Sequence, residues 1–376
     1  MFPYFLLFIF TCSAIIQIGY WVFVFARLAF YDTSVAHQES SSFIVHRSSF
    51  PVSVVICAHN EEKNIADCLP FVLEQDYPVF EVVVVNDASS DATLEILNRF
   101  QKKYAHLHIM NIRDKKTGGK KAALAEGIKA AQYEALLLTD ADCVPASQNW
   151  INEMAAQLSN PETEIVLGYA PHKKYVGSFI NIFVCCETVW TAMQYFGFAL
   201  AGFPYMGVGR NMMYRKRNFE KNKIFFSKNK LISGDDDLLV NNFITKNNFS
   251  ICISNDSFMW SEPQKNWKNF FRQKKRHLST GTHYKFIHQF LLGLLSVSHF
   301  LFFVTAIGMI LLKFSTIFVI IIYVIRLLVT GAMCRRIFNK FSENRLLYCL
   351  PILDFAFVIY CVVMVPSLFF KTQNWK

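Results

Sequence analysis

A chain of 376 residues is long enough for one soluble domain and further elements, and its 53% hydrophobic share exceeds the ~45–50% usual in soluble domains. The net charge of +10 suits phosphates or lipid headgroups; no nucleic-acid module is recognisable, so nucleic acid is not an expected partner. The 10 cysteines contain no Cys-x-x-Cys pair, which excludes a metal or redox centre of that spacing and leaves them as small buried apolar residues.

Phe2 to Ala26 carries no charged side chain and Arg27 follows it. A bilayer-crossing helix needs about 20 apolar residues, so residues 1–30 are expected to hold an N-terminal transmembrane helix. No Lys or Arg precedes the run, which predicts an uncleaved anchor. Residues 31–50, including the polar stretch His37–Arg47, are expected to form a linker. Strand and helix then alternate. Strands are predicted at Ser53–Cys57, Glu81–Asn86, His108–Ile112 and Ala135–Thr139. Helices are predicted at Glu62–Gln75, Ala92–Tyr104 and Lys120–Ala131. Continuous apolar strands separated by helices imply a parallel sheet covered on both faces.

Ile180–Phe203 is also apolar, but a span there would put Asp140 and Asp142 across the bilayer from Asp235–Asp237. It contains Glu187 and Gln194, and is expected to form one or two helices in the interface or buried against the membrane part. Three further spans are predicted near Ile287–Leu312, Phe314–Cys334 and Leu346–Phe370. Residues 51–282 are thus expected to be one cytoplasmic domain, and 283–376 a membrane region with three transmembrane helices. Arg335, Arg336, Lys340 and Arg345 lie between the last two spans, and this basic bias places the loop and the middle domain in the cytoplasm. Lys371 and Lys376 fall on the opposite side. Arg326 and Asp354 each lie nine residues from a basic inner boundary, Arg335 and Arg345, or roughly 13 Å along a helix. Charges in hydrocarbon are costly unless paired, so the two are predicted to form an ion pair.

Ligands of open α/β sheets bind beyond the carboxyl ends of the strands. Asp87 follows the second strand; it reads either as a turn or helix-capping residue or as a nucleotide contact. Asp140-Ala141-Asp142 follows the fourth, where two carboxylates can hold Mg2+ or Mn2+ or simply form a polar turn. The cation would neutralise a diphosphate leaving group. Gly234-Asp235-Asp236-Asp237 crowds three acids. Their repulsion is costly unless a cation or a base role uses them, and Asp236 is the expected base that removes a proton from an acceptor hydroxyl. The alternative is a solvated helix start. The basic run from Arg272 to His277 (RQKKRH) reads as a lipid-reading anchor, a pyrophosphate clamp, or both.

In order and spacing these motifs resemble family 2 glycosyltransferases, inverting enzymes with a GT-A fold, over about Pro51 to Gly281. Pro51–Glu62 (PVSVVICAHNEE) resembles the family's opening strand and base-binding loop. This resemblance implies nucleotide contacts at Ala58, Asn60 and Glu61. Val85–Asp91 (VNDASSD) is similar to its second motif and implies Asp87 on the nucleobase. Gly118–Leu124 (GGKKAAL) implies Lys120 near the nucleotide, and Thr139–Asp142 (TDAD) implies Asp142 on the cation with Asp140 near the ribose and diphosphate. Gly207–Arg215 (GVGRNMMYR) resembles the acceptor-side segment, and Asp235-Asp236 the family's base motif. In polymerases of the family a Gln-x-x-Arg-Trp run lies near the bilayer. Here Gln273 and Arg276 keep its donor-side pair, but His277 replaces the tryptophan, and three spans follow the domain. The resemblance therefore implies an α/β, GT-A-type mixed sheet with a helical transmembrane part. It implies transfer from a nucleotide-sugar to a lipid, lipid-linked or glycan acceptor among membrane lipids, favouring single addition over a processive polysaccharide synthase. A catalytically inactive membrane scaffold is the reading from another class. A dinucleotide oxidoreductase is excluded, since Ala58–Glu61 lacks glycine. A transporter is excluded because the polar clusters lie outside the spans.

Overall fold

The computed structural model describes residues 1–32, 50–113, 119–221 and 235–364. The expected linker, apart from its ends, and the last residues of the expected fourth span lie outside them, as do Lys371 and Lys376. The chain forms two compact units. One comprises Asp32–Tyr175 and Met206–Gln264; the other comprises Met1–Tyr31, Val176–Tyr205 and Lys265–Thr372. The stretch 51–282 is thus shared between them.

The first unit is built on a seven-stranded mixed sheet of order β3-β2-β1-β4-β7-β6-β8. Its strands are β1 (Val52–Ala58), β2 (Phe80–Asp87), β3 (Leu107–Ile112), β4 (Ala135–Asp140), β6 (Ile165–Gly168), β7 (Met212–Arg215) and β8 (Phe249–Cys252). A two-stranded ribbon pairs β5 (Cys143–Pro145) with β9 (Met259–Ser261). The first four strands are parallel, while β7 runs antiparallel to both β4 and β6. Helices cover both faces, which is why the middles of β1 and β2, Val54–Ile56 and Val82–Val85, are unbroken apolar runs. Val54, Ile56, Val82 and Val84 pack with Ile65, Leu69, Leu97 and Trp150 on one face. Val55 and Val85 point the other way, towards helix Gly119–Ala130, where a Cβ on Gly127 would come within 2.8 Å of both. Only glycine lets that helix sit so close to the sheet. Each buried valine or leucine contributes about 1.5–3 kcal/mol, so this core fixes the strand ends that carry the polar residues.

The second unit contains four helices long and apolar enough to cross a membrane: Phe2–Ala29, Phe286–Leu311, Thr316–Lys340 and Asn344–Met364. Their outward residues, among them Phe5, Phe8, Leu311, Ile317, Leu328 and Ile352, are exposed, as suits side chains facing lipid. The third helix runs six residues past the expected end at Cys334, so Arg335, Arg336 and Lys340 lie on helical turns rather than in a loop. Arg336 stacks over Phe30 at 4.4 Å, and Lys340 Nζ donates to the Tyr31 carbonyl at 2.6 Å. These contacts with the end of the first helix let the longer helix continue. Ile180–Phe203 forms a single helix, Phe179–Leu200, capped by Ser178. Its buried Glu187 forms an ion pair with Lys274.

Arg326 is fully buried and meets Asp354 through two bonds, Nη1 to Oδ2 at 2.6 Å and Nη2 to Oδ1 at 3.1 Å. Gln17 Oε1 also accepts from Arg326, at 3.3 Å, and His299 bridges to the Asp354 carbonyl at 3.1 Å. The guanidinium lies 4.9 Å over the Phe302 ring. The predicted pair is therefore present, inside a network that draws one residue or more from each of the four helices.

Candidate active site

The parallel order β3-β2-β1-β4 sets β1 between β2 and β4, and the registers pair Ala58 with Asn86 and Cys57 with Asp140. Ala58, Asp87 and Asp140 therefore finish three adjacent strands at one edge. The chain leaves β1 through Asn60 at φ 55° and β2 through Ala88 at φ 52°. That left-handed conformation turns each strand sharply into its helix. The two turns are laced together. His59 Nδ1 lies 2.6 Å from the Asp87 carbonyl oxygen, so that nitrogen carries the proton. The Asn60 N–H donates to Ser89 Oγ at 2.9 Å, and Asn60 Oδ1 accepts from the Ser90 N–H at 2.8 Å. The Glu61 N–H donates to Thr93 Oγ1 at 2.9 Å.

Behind these turns, Asp87 Oδ2 and Asn86 Oδ1 are buried acceptors with no hydrogen-bond donor among the described residues. Leaving such an atom unpaired costs about 1–3 kcal/mol. Consecutive strand residues face opposite sides of the sheet, so the two do not meet one ligand together; the Asp87 oxygen, at the end of β2, suits a ligand that brings an N–H group, as a nucleobase does.

At the end of β4, Asp140 is bonded by the ammonium of Lys120, from the first turn of helix Gly119–Ala130. Desolvation works to lower the Lys120 pKa, but the charge of Asp140 and its hydrogen bond outweigh it and hold the ammonium well above its usual value. The charge of Asp236 acts in the same sense, so Asp236 lies within electrostatic reach of Lys120. Asp142 is raised above the ordinary carboxylate value by burial and then by the charge of Asp140, against the opposing charges of Arg210 and Lys120. Its nearest donor is the Cys143 thiol at 3.5 Å.

Asp236 sits in the first turn of helix Asp235–Phe243, and its Oδ2 accepts the Gly209 N–H at 2.7 Å. A Cβ on Gly209 would stand 2.6 Å from that oxygen, so the approach requires glycine. Asp235 begins the same helix; its side chain lies outside the described residues, as does Gly234. Asp237 is buried. Gln273 and Arg276 belong to helix Trp267–Gly281 in the other unit, where Arg276 lies 3.1 Å from His277 Nε2.

Among the described residues no group of three or more His, Cys, Asp or Glu side chains is gathered for a metal. Asp140 and Asp142 nonetheless fit a cation shared with a substrate. Two carboxylates plus phosphate oxygens and water are a usual Mg2+ set, and the raised Asp142 carboxyl marks negative charge that a cation would relieve.

Arg210, in the segment that resembles the family's acceptor side, and Ser261 and His172, which no sequence motif marks, form a group near these acids that the sequence alone does not assemble. Arg210 Nη1 donates to Ser261 Oγ at 2.6 Å, Nη2 donates to the Ala170 carbonyl at 3.0 Å, and Ser261 Oγ is 2.9 Å from His172 Nδ1. Ser261 is the cross-strand partner of Cys143 in the β5–β9 ribbon, a pairing of three-residue strands more than a hundred positions apart. Arg210 falls in the glycine-containing segment Gly207–Arg215, but nothing in the sequence links it to Asp142.

Sheet order, helix placement and acids at the carboxyl edge define a GT-A-type domain. Residues 53–222 match the family model "Glycosyl transferase family 2", and this chain carries a family 2 glycosyltransferase domain. It is 28% identical over 251 residues to the probable glycosyltransferase YdaM of Bacillus subtilis, covering 64% of this chain and 57% of that protein. It is 38% identical over 103 residues to the poly-beta-1,6-N-acetyl-D-glucosamine synthase of Staphylococcus epidermidis, covering 26% of this chain and 23% of that protein. The matches thus span less than two thirds of these relatives' lengths, 57% and 23%. Among solved structures, the mannosyltransferase PcManGT of Pyrobaculum calidifontis, in complex with GDP-Man and Mn2+, superposes with a TM-score of 0.50. It is 16% identical and is covered over 99% of its chain and 93% of this one, a likeness of fold.

Proposed function

We propose that the protein is a membrane-bound, inverting glycosyltransferase. It moves one sugar from a nucleotide-sugar to a lipid, lipid-linked or glycan acceptor, with its catalytic domain in the cytoplasm. The observation that carries this reading is the convergence of Asp87, Lys120, Asp140, Asp142 and Asp236 on one sheet edge, where the buried Asp87 Oδ2 has no hydrogen-bond donor among the described residues. In this reading Ala58, Asn60, Glu61 and Asp87 receive the base, and Lys120 and Asp140 lie along the ribose and diphosphate. Asp142, with Asp140, holds a Mg2+ or Mn2+ ion, which supplies charge neutralisation for the leaving diphosphate. Asp236 keeps one oxygen fixed by Gly209 and uses the other to take the acceptor's hydroxyl proton. The acceptor oxygen bonds to the anomeric carbon as the bond to the diphosphate oxygen breaks, releasing the nucleoside diphosphate and inverting the configuration. The four apolar helices support a membrane acceptor, and the basic residues in the last turns of the third helix, with Arg345 after it, support the cytoplasmic orientation. Incubating membranes that contain the protein with a panel of labelled nucleotide-sugars tests the reading. Transfer of label with inverted anomeric configuration is expected. Absence of transfer or hydrolysis with every donor, at a protein level verified by immunoblot, would leave the inactive scaffold.

A further inference from the structure

We propose that Arg210 binds the diphosphate of the nucleotide donor, with Ser261 and His172 as positioning residues that hold its guanidinium at the edge of the site. The inference rests on the donor reading given above and adds to it a cation supplied by the α/β unit itself.

Arg210 is half-buried, and its two anchors, the Ser261 hydroxyl and the Ala170 carbonyl, are both neutral. Neither anchor carries a charge that would neutralise the guanidinium, and three of its five N–H groups lie beyond these two bonds, so besides its charge interaction with Asp142 it retains donors for a bound anion. The anchors also fix where that charge sits. Ser261 stands opposite Cys143 across the β5–β9 ribbon, and cross-strand Cβ atoms lie about 4.5–5.5 Å apart. Cys143 directly follows Asp142, so the guanidinium is carried beside the cation-binding carboxylate. Its charge acts on both Asp142 and Cys143.

His172 steadies this arrangement from behind. It is buried, its Nδ1 meets Ser261 Oγ, and its backbone forms a parallel bridge with Ser261. On the other side, the residue before Arg210 donates its N–H to Asp236. The dipeptide Gly209-Arg210 therefore reaches the proposed base with its backbone and the cation site with its side chain. A bidentate anion such as a diphosphate oxygen pair, brought to Asp142 with its cation, meets a planar fork suited to it.

The test is nucleotide binding by the purified full-length protein in detergent, by calorimetry in the presence of Mn2+. The probes are UDP, UMP and uridine, and GDP, GMP and guanosine. The wild type is expected to bind one diphosphate more tightly than its monophosphate. Arg210→Ala should lower diphosphate affinity about tenfold or more, the worth of one hydrogen bond between charged partners, while affinity for the nucleoside is unchanged. Arg210→Lys should recover part of the loss, and Ser261→Ala should show a smaller loss of the same kind. Nucleoside binding acts as the control for folding, because a disrupted site would lose all three probes together. Diphosphate affinity unchanged in Arg210→Ala, or an equal fall for nucleoside and diphosphate, overturns the inference while the donor reading stands. A wild type that gains nothing from the second phosphate with either base removes the donor reading and this inference together.

Discussion

Two clusters of charge, one in each unit, are built on opposite plans. At the sheet edge the acids are only partly answered: Lys120 bonds Asp140 and the Arg210 charge acts on Asp142, yet Asp87 keeps an unpaired buried oxygen and Asp142 stays raised by burial and by its neighbour Asp140. Among the membrane helices, Arg326 and Asp354 meet with complementary charges and share Gln17 and His299 as further partners. A cluster that neutralises itself needs no ligand and serves the fold. One that leaves repulsion and open acceptors in place has a lower-energy state once a cation or a nucleobase arrives. The same residue type, aspartate, thus stands in two settings: Asp354 is fully answered by the protein's own charges, whereas Asp87 and Asp142 are not.

If that contrast is right, removing acids at the sheet edge should abolish chemistry and spare the fold. Asp142→Asn is expected to eliminate cation-dependent transfer and weaken nucleoside diphosphate binding, because an amide is a poor ligand for a hard cation. Full transfer by chelator-treated wild type would remove the cation from the account. Asp236→Asn is expected to cut turnover on the order of 10²-fold or more with donor affinity near normal, as for a lost general base. Gly209→Ala should act in the same direction, since the added Cβ would displace the Asp236 carboxylate. Collapsed donor binding with turnover preserved at saturation would make Asp236 a nucleotide ligand instead.

The membrane cluster should respond in the opposite manner. Arg326→Met strands a buried carboxylate, and Asp354→Leu a buried guanidinium. Breaking such a pair from one side costs about 3–5 kcal/mol, whereas replacing both partners with apolar groups can be nearly neutral. Each single variant is therefore expected to lower the yield of monodisperse protein and its apparent Tm in detergent, and the double variant to restore much of both. A double variant as damaged as the worse single one would show that the pair does more than neutralise itself.

How much of this could be read from the sequence follows from the physics of each element. Strands β1, β2 and β4 were legible because a parallel sheet covered on both faces demands unbroken apolar runs such as Val82–Val85. Asp87 and Asp140 were legible because each follows such a run directly. The Arg326–Asp354 pair could be placed by counting from basic boundaries, since helical rise converts residue number into depth. Strands of three or four residues left no such trace: β5, β6, β7 and β9 are fixed by partners far along the chain, so Arg210, Ser261 and His172 could not be connected to Asp142. The extra turns of the third membrane helix depend on contacts with Phe30 and Tyr31 that no local pattern announces.

The smallest expected effect separates the two plans most directly, because it concerns stability with no ligand bound. The Asp142 carboxyl is raised in the folded protein, so its ionised form is disfavoured there relative to the unfolded chain. For a raised group, the stabilising contribution is fully present below the unfolded value of 3.8 and is lost as pH rises through the folded value. At neutral pH, without a divalent cation, Asp142 therefore works against folding, and Asp142→Asn should raise the apparent Tm of the chelator-treated protein slightly. Well below pH 3.8, where the carboxyl is protonated in both states, the advantage should vanish. Adding Mn2+ together with the nucleoside diphosphate should reverse the order, stabilising the wild type and not the variant. A variant less stable than wild type at pH 7 in chelator would mean that Asp142 is held by favourable contacts in the protein alone, and the sheet-edge cluster would then resemble the membrane one.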